Sequence, residues 1–267
     1  MSKPLKIKIL SEFPGGHGTM KIEKECLQRG HDTTVLQPSK CDLGVSENAK
    51  GFDYLDCNGT RLFRKDIDVV ISRTTGGQFG LATLQHLTRN MGRPVTNSRA
   101  AVAVCSDKFW CHQVVSEAKI RQLKTVFSKQ TNRIGKVLRS VGVPVVAKFQ
   151  QGSQGQGVMI LRDLESATTA LESFYRLGAD MLLQSYKKDC KDIRVIVVDG
   201  QIITQMERLR PKGDFRANLS LAGEGRPIEL TEEEKTMALD AAAAVGAGVA
   251  GVDILRSESE GKSFCLE

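Results

Sequence analysis

The sequence predicts a mixed α/β and α+β protein of three lobes: a parallel α/β lobe over residues 1–97, a small α+β lobe over 98–183, and a larger lobe with an antiparallel sheet over 184–267. Three observations predict it. Strand-like and helical patterns alternate up to residue 97, as βαβ units do. A glycine-rich stretch, QQGSQGQG, lies between two strand-like runs rather than between a strand and a helix. Two β-rich runs, DIRVIVV and QIITQMER, meet at Asp199-Gly200, the strongest short hairpin signal.

The elements follow in order. LKIKIL alternates as a strand, the cluster PGGHG follows it, and a helix over 19–29 ends at Arg29-Gly30 with glycine where a C-terminal cap is expected. TTVLQ is a strand, and IDVVIS reads as a strand buried on both faces. Two helical pieces come next: SDKFWCHQVVSEA, with Ser106 as its N-cap, and an amphipathic turn over 131–140. PVVAKF and GVMIL are the strands around the glycine loop, LESATTALESFYRL is a helix, and MLLQSY is a strand. After the Asp199-Gly200 hairpin, Thr231 and Glu234 form a capping box that opens a helix over 231–247. GVDIL and SFCLE are the last strands.

Composition excludes some classes. The chain has 267 residues with 40% hydrophobic and 26% charged residues, ordinary for a globular protein, and its longest apolar stretch, AAAAVGAGVAGV, is too short to span a bilayer. The net charge of +7 is dispersed, and aromatics make up only 5%, so a base-stacking nucleic-acid surface is poorly supported. Seven cysteines without CxxC or metal-ligand spacing predict reduced, mostly buried thiols and a cytoplasmic location, with no nucleophilic cysteine. The N-terminus enters a strand directly, with no signal peptide.

The glycine loop does not fit a P-loop, because its lysine, Lys148, precedes the glycines and a strand follows them. A glycine-rich hairpin can instead lie over nucleotide phosphates and offer backbone N–H groups; taken alone, the stretch is equally compatible with an ordinary polar hairpin. Lys148 ends an apolar strand, where a lone cation needs an anion. Asp214, Arg216 and Asn218 alternate in GDFRANLS and would share one face of an extended strand. Asp253 and Glu267 are single carboxylates within apolar strands, where an acid calls for a cation.

Lys148 with GSQGQGV, the DIRVIVVDG hairpin, GDFRANL, VAGVDIL, terminal FCLE and the earlier NSRAAVAVCSDK together resemble the ATP-grasp superfamily, and most closely its RimK-like group of glutamate ligases, over nearly the whole chain. The resemblance implies an ATP-grasp fold with ATP held between two α+β lobes. It implies that Lys108 and Lys148 contact the nucleotide, that Gly152, Ser153, Gln154, Gly155 and Gly157 cover it, and that Gln184, Ser185 and Tyr186 form the adenine hinge. Asp192 would lie near the ribose, Arg216 and Asn218 near the phosphates, and Asp253 and Glu267 would bind magnesium, for which manganese is the substitute. Lys148 and Arg216 are the catalytic candidates, and Arg73, Arg194 and Arg208 the candidates for an acidic substrate, since a guanidinium meets a carboxylate bidentately. Residues 187–216 hold eight Lys/Arg against five Asp/Glu, a local excess of cations that suits such a substrate.

The implied activity is ATP-dependent carboxylate–amine ligation through an acylphosphate, adding glutamate or a similar amino acid to a peptide, a protein C-terminus or a small acid. The alternative is a non-catalytic nucleotide-binding or protein-interaction module of the same fold. Homo-oligomerisation stays open; neither a membrane nor nucleic acid is an expected partner. The family continues beyond the equivalent of Glu267 with Val-Asn, the asparagine being a further magnesium ligand, so a chain ending at Glu267 is expected to lack part of the second metal site. Ser185 also stands where the nearest relatives carry an acid, and the link from Tyr186 to Asp192 is shorter.

Overall fold

The computed structural model describes residues 3–45, 53–150, 157–209 and 224–267, and the chain divides into two compact units, Met1–Ser106 and Asp107–Glu267. The first unit contains β1 (Lys6–Leu10), α1 (His17–Gln28), β2 (Asp32–Leu36), β3 (Cys41–Asp42), β4 (Tyr54–Cys57), β5 (Thr60–Phe63), β6 (Val69–Ser72), α2 (Gln78–Gln85) and α3 (Arg99–Ser106). Its main sheet is parallel, in the order β2-β1-β6, with Ile9 opposite both Val35 and Ile71. Helix α1 ends at Arg29, and Gly30 takes the left-handed conformation (φ +81°) expected after a helix. Leu10, Leu36, Val70, Leu84, Leu87 and Met91 close the core beneath the sheet.

The strand expected to be buried on both faces is buried on one. Val70 and Ser72 are buried, whereas Val69 and Ile71 are half-buried, because α2 and the turn after it cover a single side. A second, antiparallel sheet, β3-β4-β5, turns at Asn58-Gly59, where both residues have positive φ. Cys41 lies directly opposite Cys57 in that sheet, and the two form a disulfide. This corrects the expectation of seven reduced thiols: direct cross-strand opposition brings the two side chains together, a proximity that sequence spacing alone does not reveal. Of the five cysteines outside that disulfide, Cys111, Cys190 and Cys265 are buried.

The second unit contains α4 (Lys108–Glu117), β7 (Thr125–Phe127), α5 (Ile134–Val141), β8 (Val145–Phe149), β9 (Val158–Leu161), α6 (Leu164–Arg176), β10 (Met181–Ser185), β11 (Cys190–Val198), β12 (Gln201–Leu209), β13 (Glu224–Arg226), α7 (Glu232–Ala244), β14 (Val249–Ser257) and β15 (Lys262–Cys265). The N-cap of α4 is Asp107, whose carboxylate accepts the Trp110 N–H at 2.9 Å. Ser106, the expected cap, instead ends α3 and donates its hydroxyl to the Val102 carbonyl. A carboxylate only accepts and also complements the positive helix end, so it is the better cap of the two neighbours.

Two antiparallel sheets organise this unit, in the orders β7-β10-β8-β9 and β13-β12-β11-β14-β15. In the first, Val145 and Ala147 face a core with Leu138, Ala167 and Leu171 of α5 and α6, so alternation turns Lys148 to the opposite side. In the second, Ile193, Val195, Val252 and Ile254 alternate with the charged positions Asp192, Arg194 and Asp253. Helix α7 starts with the predicted capping box between Thr231 and Glu234. Glu234 is fully buried, where it accepts bonds from Arg256 (2.7 Å) and Ser263 (2.7 Å), tying α7 to β14 and β15.

Candidate active site

The glycine hairpin has the expected frame. β8 and β9 pair antiparallel with Lys148 opposite Val158, and Gly157 closes the loop at φ +71°. A Cβ on Gly157 would stand 2.2 Å from the Phe149 ring, so both conformation and packing require glycine. Gly152, Ser153, Gln154 and Gly155 lie outside the described residues, as do Arg216 and Asn218. The loop entry is pinned by the start of α4. The Gln150 amide nitrogen donates to the Asp107 carboxylate, while Lys108 Nζ donates to the Gln150 carbonyl at 3.2 Å.

A cleft in the second unit is lined by Lys108, Cys111, His112, Val115, Gln122, Lys148, Cys265, Leu266 and Glu267. It brings together three residues singled out in the sequence: Lys108, Lys148 and Glu267. Burial pulls the Lys148 pKa down; the charges of Glu267, Asp253 and Asp192 oppose that pull, and Lys108 adds to it. Lys148 therefore sits where three carboxylates act on it electrostatically. Glu267 lies just past β15, which ends at Cys265, and is exposed rather than embedded in a strand. Its backbone still extends the ladder, since the Asp253 N–H donates to the Glu267 carbonyl at 2.8 Å and the Leu266 N–H donates to the Asp253 carbonyl at 2.8 Å. That pairing ties the backbone of Asp253 to the end of the chain, where Glu267 lines the cleft.

Asp253 is 7% exposed and is held by two arginines. Arg194 Nε stands 2.6 Å from Oδ1, and Arg208 Nη2 stands 3.0 Å from Oδ2. Arg208 also bonds Asp192 at 2.8 Å, so charges alternate across β14, β11 and β12. Burial raises the Asp253 pKa to about 6 despite the two guanidiniums, with Asp192 and Glu267 adding to the rise. Glycine at 251 leaves room for Arg194 as it lies: a Cβ there would stand 2.2 Å from its Nη1. Arg194 and Arg208, expected at an acidic substrate, thus engage the protein's own acids.

The hinge candidates differ in their engagement. Gln184 is buried and its amide nitrogen donates to Thr125 Oγ1 at 2.9 Å. Ser185 donates its N–H to the Lys124 carbonyl and its hydroxyl to the Val141 carbonyl, and Tyr186 is half-buried. Arg73 belongs to the first unit; it follows β6, is exposed, and its guanidinium packs near Gly18 of α1. Sequence reasoning missed His112 and Gln122, which bond each other at the cleft. Their only signal is the placing of His112 one helical turn after Lys108. Cys265 also lines the cleft, but burial above all, then Asp253, pushes its thiol up to about 12, which leaves it protonated and unreactive.

Among the described residues no group of three or more His, Cys, Asp or Glu could hold a metal ion. Asp253 and Glu267 nevertheless fit magnesium, a hard cation that takes one or two carboxylates and completes its shell with substrate phosphates and water. Their chelation would neutralise phosphate charge opposite Lys148.

Comparison with known proteins places this geometry. A family model for the RimK-like ATP-grasp domain matches residues 105–265, and one for the RimK pre-ATP-grasp domain matches residues 5–102. A "probable alpha-L-glutamate ligase 2" of Shewanella amazonensis is 33% identical over 258 residues, 95% of this chain and 84% of that protein. A "probable alpha-L-glutamate ligase 1" of Shewanella baltica is 34% identical over 256 residues, with the same coverage. The ATP-grasp ligase PsnB in complex with a minimal precursor superposes with a TM-score of 0.74 at 20% identity, covering 99% of this chain and 90% of that one. A D-alanine–D-alanine ligase from Bacillus anthracis complexed with ATP superposes at 0.66 with 16% identity, covering 100% and 86%. The structures share the fold, the relatives share the sequence along its length, and the chain belongs to the RimK-like ATP-grasp family.

Proposed function

We propose that this ATP-grasp ligase adds glutamate to the carboxylate of a peptide, a protein C-terminus or a small acid, in the cytoplasm. The single observation that carries the site assignment is the convergence of Lys148, Glu267 and Asp253 within one unit, close enough for each acid to shift the lysine. The relatives' names support glutamate as the added amino acid. The peptide-bound ligases of the same fold support a peptide acceptor.

The chemistry follows from the residues. The γ-phosphoryl of ATP passes to a carboxylate, and an amine then displaces phosphate from the acylphosphate. Lys108 and Lys148 hold the triphosphate and offset its charge, and Asp253 and Glu267 hold magnesium, or manganese in its place. ATP-grasp ligases bound to magnesium and ADP, and to ATP, support both cofactors. Arg216, Asn218 and the loop residues 152–155 complete the phosphate site, Gln184 to Tyr186 the base site and Asp192 the ribose site. Arg194, partly exposed beside Asp253, attracts the acidic substrate, while the buried Arg208 holds Asp192 and Asp253. The second unit comprises a central lobe to residue 183 and a C-terminal lobe from 184.

Mass spectrometry of products after incubation with ATP, magnesium and pooled amino acids tests the reading. Glutamate adducts with matching ADP release are expected. Wild-type nucleotide affinity and turnover in Lys148→Ala would overturn the site assignment.

A further inference from the structure

One face of α4 turns Lys108, Cys111, His112 and Val115 into the cleft, at the i, i+3, i+4, i+7 spacing of a helix. His112 is clamped there by Gln122. The Gln122 Nε2 donates to the His112 carbonyl at 2.9 Å, and its Oε1 lies 2.5 Å from His112 Nδ1. The first of these bonds fixes the amide, because a backbone carbonyl can only accept. Oε1 therefore faces the ring, and Nδ1 must carry the proton that it receives. In the neutral imidazole the other nitrogen, Nε2, is then an acceptor. Gln122 is itself held to the cleft wall by a backbone bridge to Cys265.

The charged groups beside it have other tasks. The ammonium groups of Lys108 and Lys148 suit phosphate and distinguish poorly between nucleotides, because every nucleoside triphosphate carries the same anion. A neutral acceptor of fixed orientation does discriminate: a ligand group that donates satisfies it, and a ligand lacking that group leaves it unpaired. We infer that His112 is a specificity-determining residue whose Nε2 accepts a hydrogen bond from an N–H or O–H donor of the bound nucleotide, with Gln122 as its positioning residue. The donor is the exocyclic amine of the base or a hydroxyl of the ribose. The inference rests on the reading of this cleft as the ATP site.

Isothermal titration calorimetry of wild type, His112→Phe and Gln122→Met, each with ATP, purine riboside triphosphate, 2′-deoxy-ATP and 3′-deoxy-ATP, tests it. Wild type should prefer ATP over the one analogue lacking the donor by about three- to tenfold. That ratio should fall to near one in His112→Phe and shrink in Gln122→Met, which keeps the imidazole but frees its tautomer. The analogue affected tells base from ribose. Equal ratios in wild type and His112→Phe, or a uniform weakening toward every nucleotide, would overturn the inference while leaving the ATP site standing. Absence of ATP binding by wild type would overturn the reading of the cleft and the inference with it.

Discussion

Replacing Asp253 with asparagine should make the magnesium-free protein more stable at pH 8 while abolishing ligation. Burial raises the carboxyl from 3.8 to about 6, with Arg194 and Arg208 pulling the other way and Asp192 and Glu267 adding to the rise. A group whose folded pKa lies above its unfolded value holds its proton longer in the native state. The contribution of this one group to native stability is therefore fully present below about pH 4 and is lost as pH rises through about 6. At 1.36 kcal/mol per pKa unit, the ionised Asp253 costs about 3 kcal/mol above pH 7. Asparagine copies the shape of the protonated acid and removes that cost. Urea unfolding in the presence of EDTA should then show Asp253→Asn ahead of wild type by about 3 kcal/mol at pH 8, with the gap closing toward pH 4. A gap independent of pH, or a variant less stable at pH 8, would refute the reasoning.

Three further outcomes follow from the same geometry. Gly251→Ala places a Cβ 2.2 Å from Arg194 Nη1, so the guanidinium must shift from its present place beside Asp253. Ligation should fall by about ten- to a hundredfold, the worth of a charged hydrogen bond, with the circular dichroism spectrum unchanged. Glu234→Leu leaves Arg256 without its carboxylate in a largely buried position and should cost about 3–5 kcal/mol in urea unfolding. Thr231→Ala removes only the cap hydroxyl of α7 and should cost about 1 kcal/mol in the same assay.

What the sequence reveals here depends on how local the cause is. Lys148 is legible because VVAKF alternates and every second residue must face the helices. The capping box of Thr231 and Glu234 and the Asp199-Gly200 turn are equally local. Asn58-Gly59 carries the same turn signal, yet the hairpin it makes goes unread, because its strands are four residues each and interrupt a lobe whose main sheet is parallel. The Cys41–Cys57 bond and the Gln122 clamp on His112 depend on which segments meet in space, and no spacing in the chain announces either. The sequence singles out Glu267 as a carboxylate within an apolar stretch, whereas the structure leaves it exposed past the end of β15. Its position is set by the backbone ladder with Asp253, not by an apolar strand around it.

The arginines beside Asp253 explain how one sheet can keep a carboxylate ready in a place that disfavours it. Asp192, Arg208, Asp253 and Arg194 alternate in sign across three strands, so no charge there is without an opposite neighbour. Two guanidiniums still leave the Asp253 pKa near 6, which means that their attraction does not fully offset burial. A divalent cation bound to that carboxylate adds the missing positive charge and favours the ionised acid further. Magnesium binding should therefore release protons most strongly near pH 5–6, where Asp253 is partly protonated, and Asp253→Asn should abolish that release. Proton release measured against a weak buffer during magnesium addition to the nucleotide-free protein checks it: equal release by wild type and variant would place the cation elsewhere.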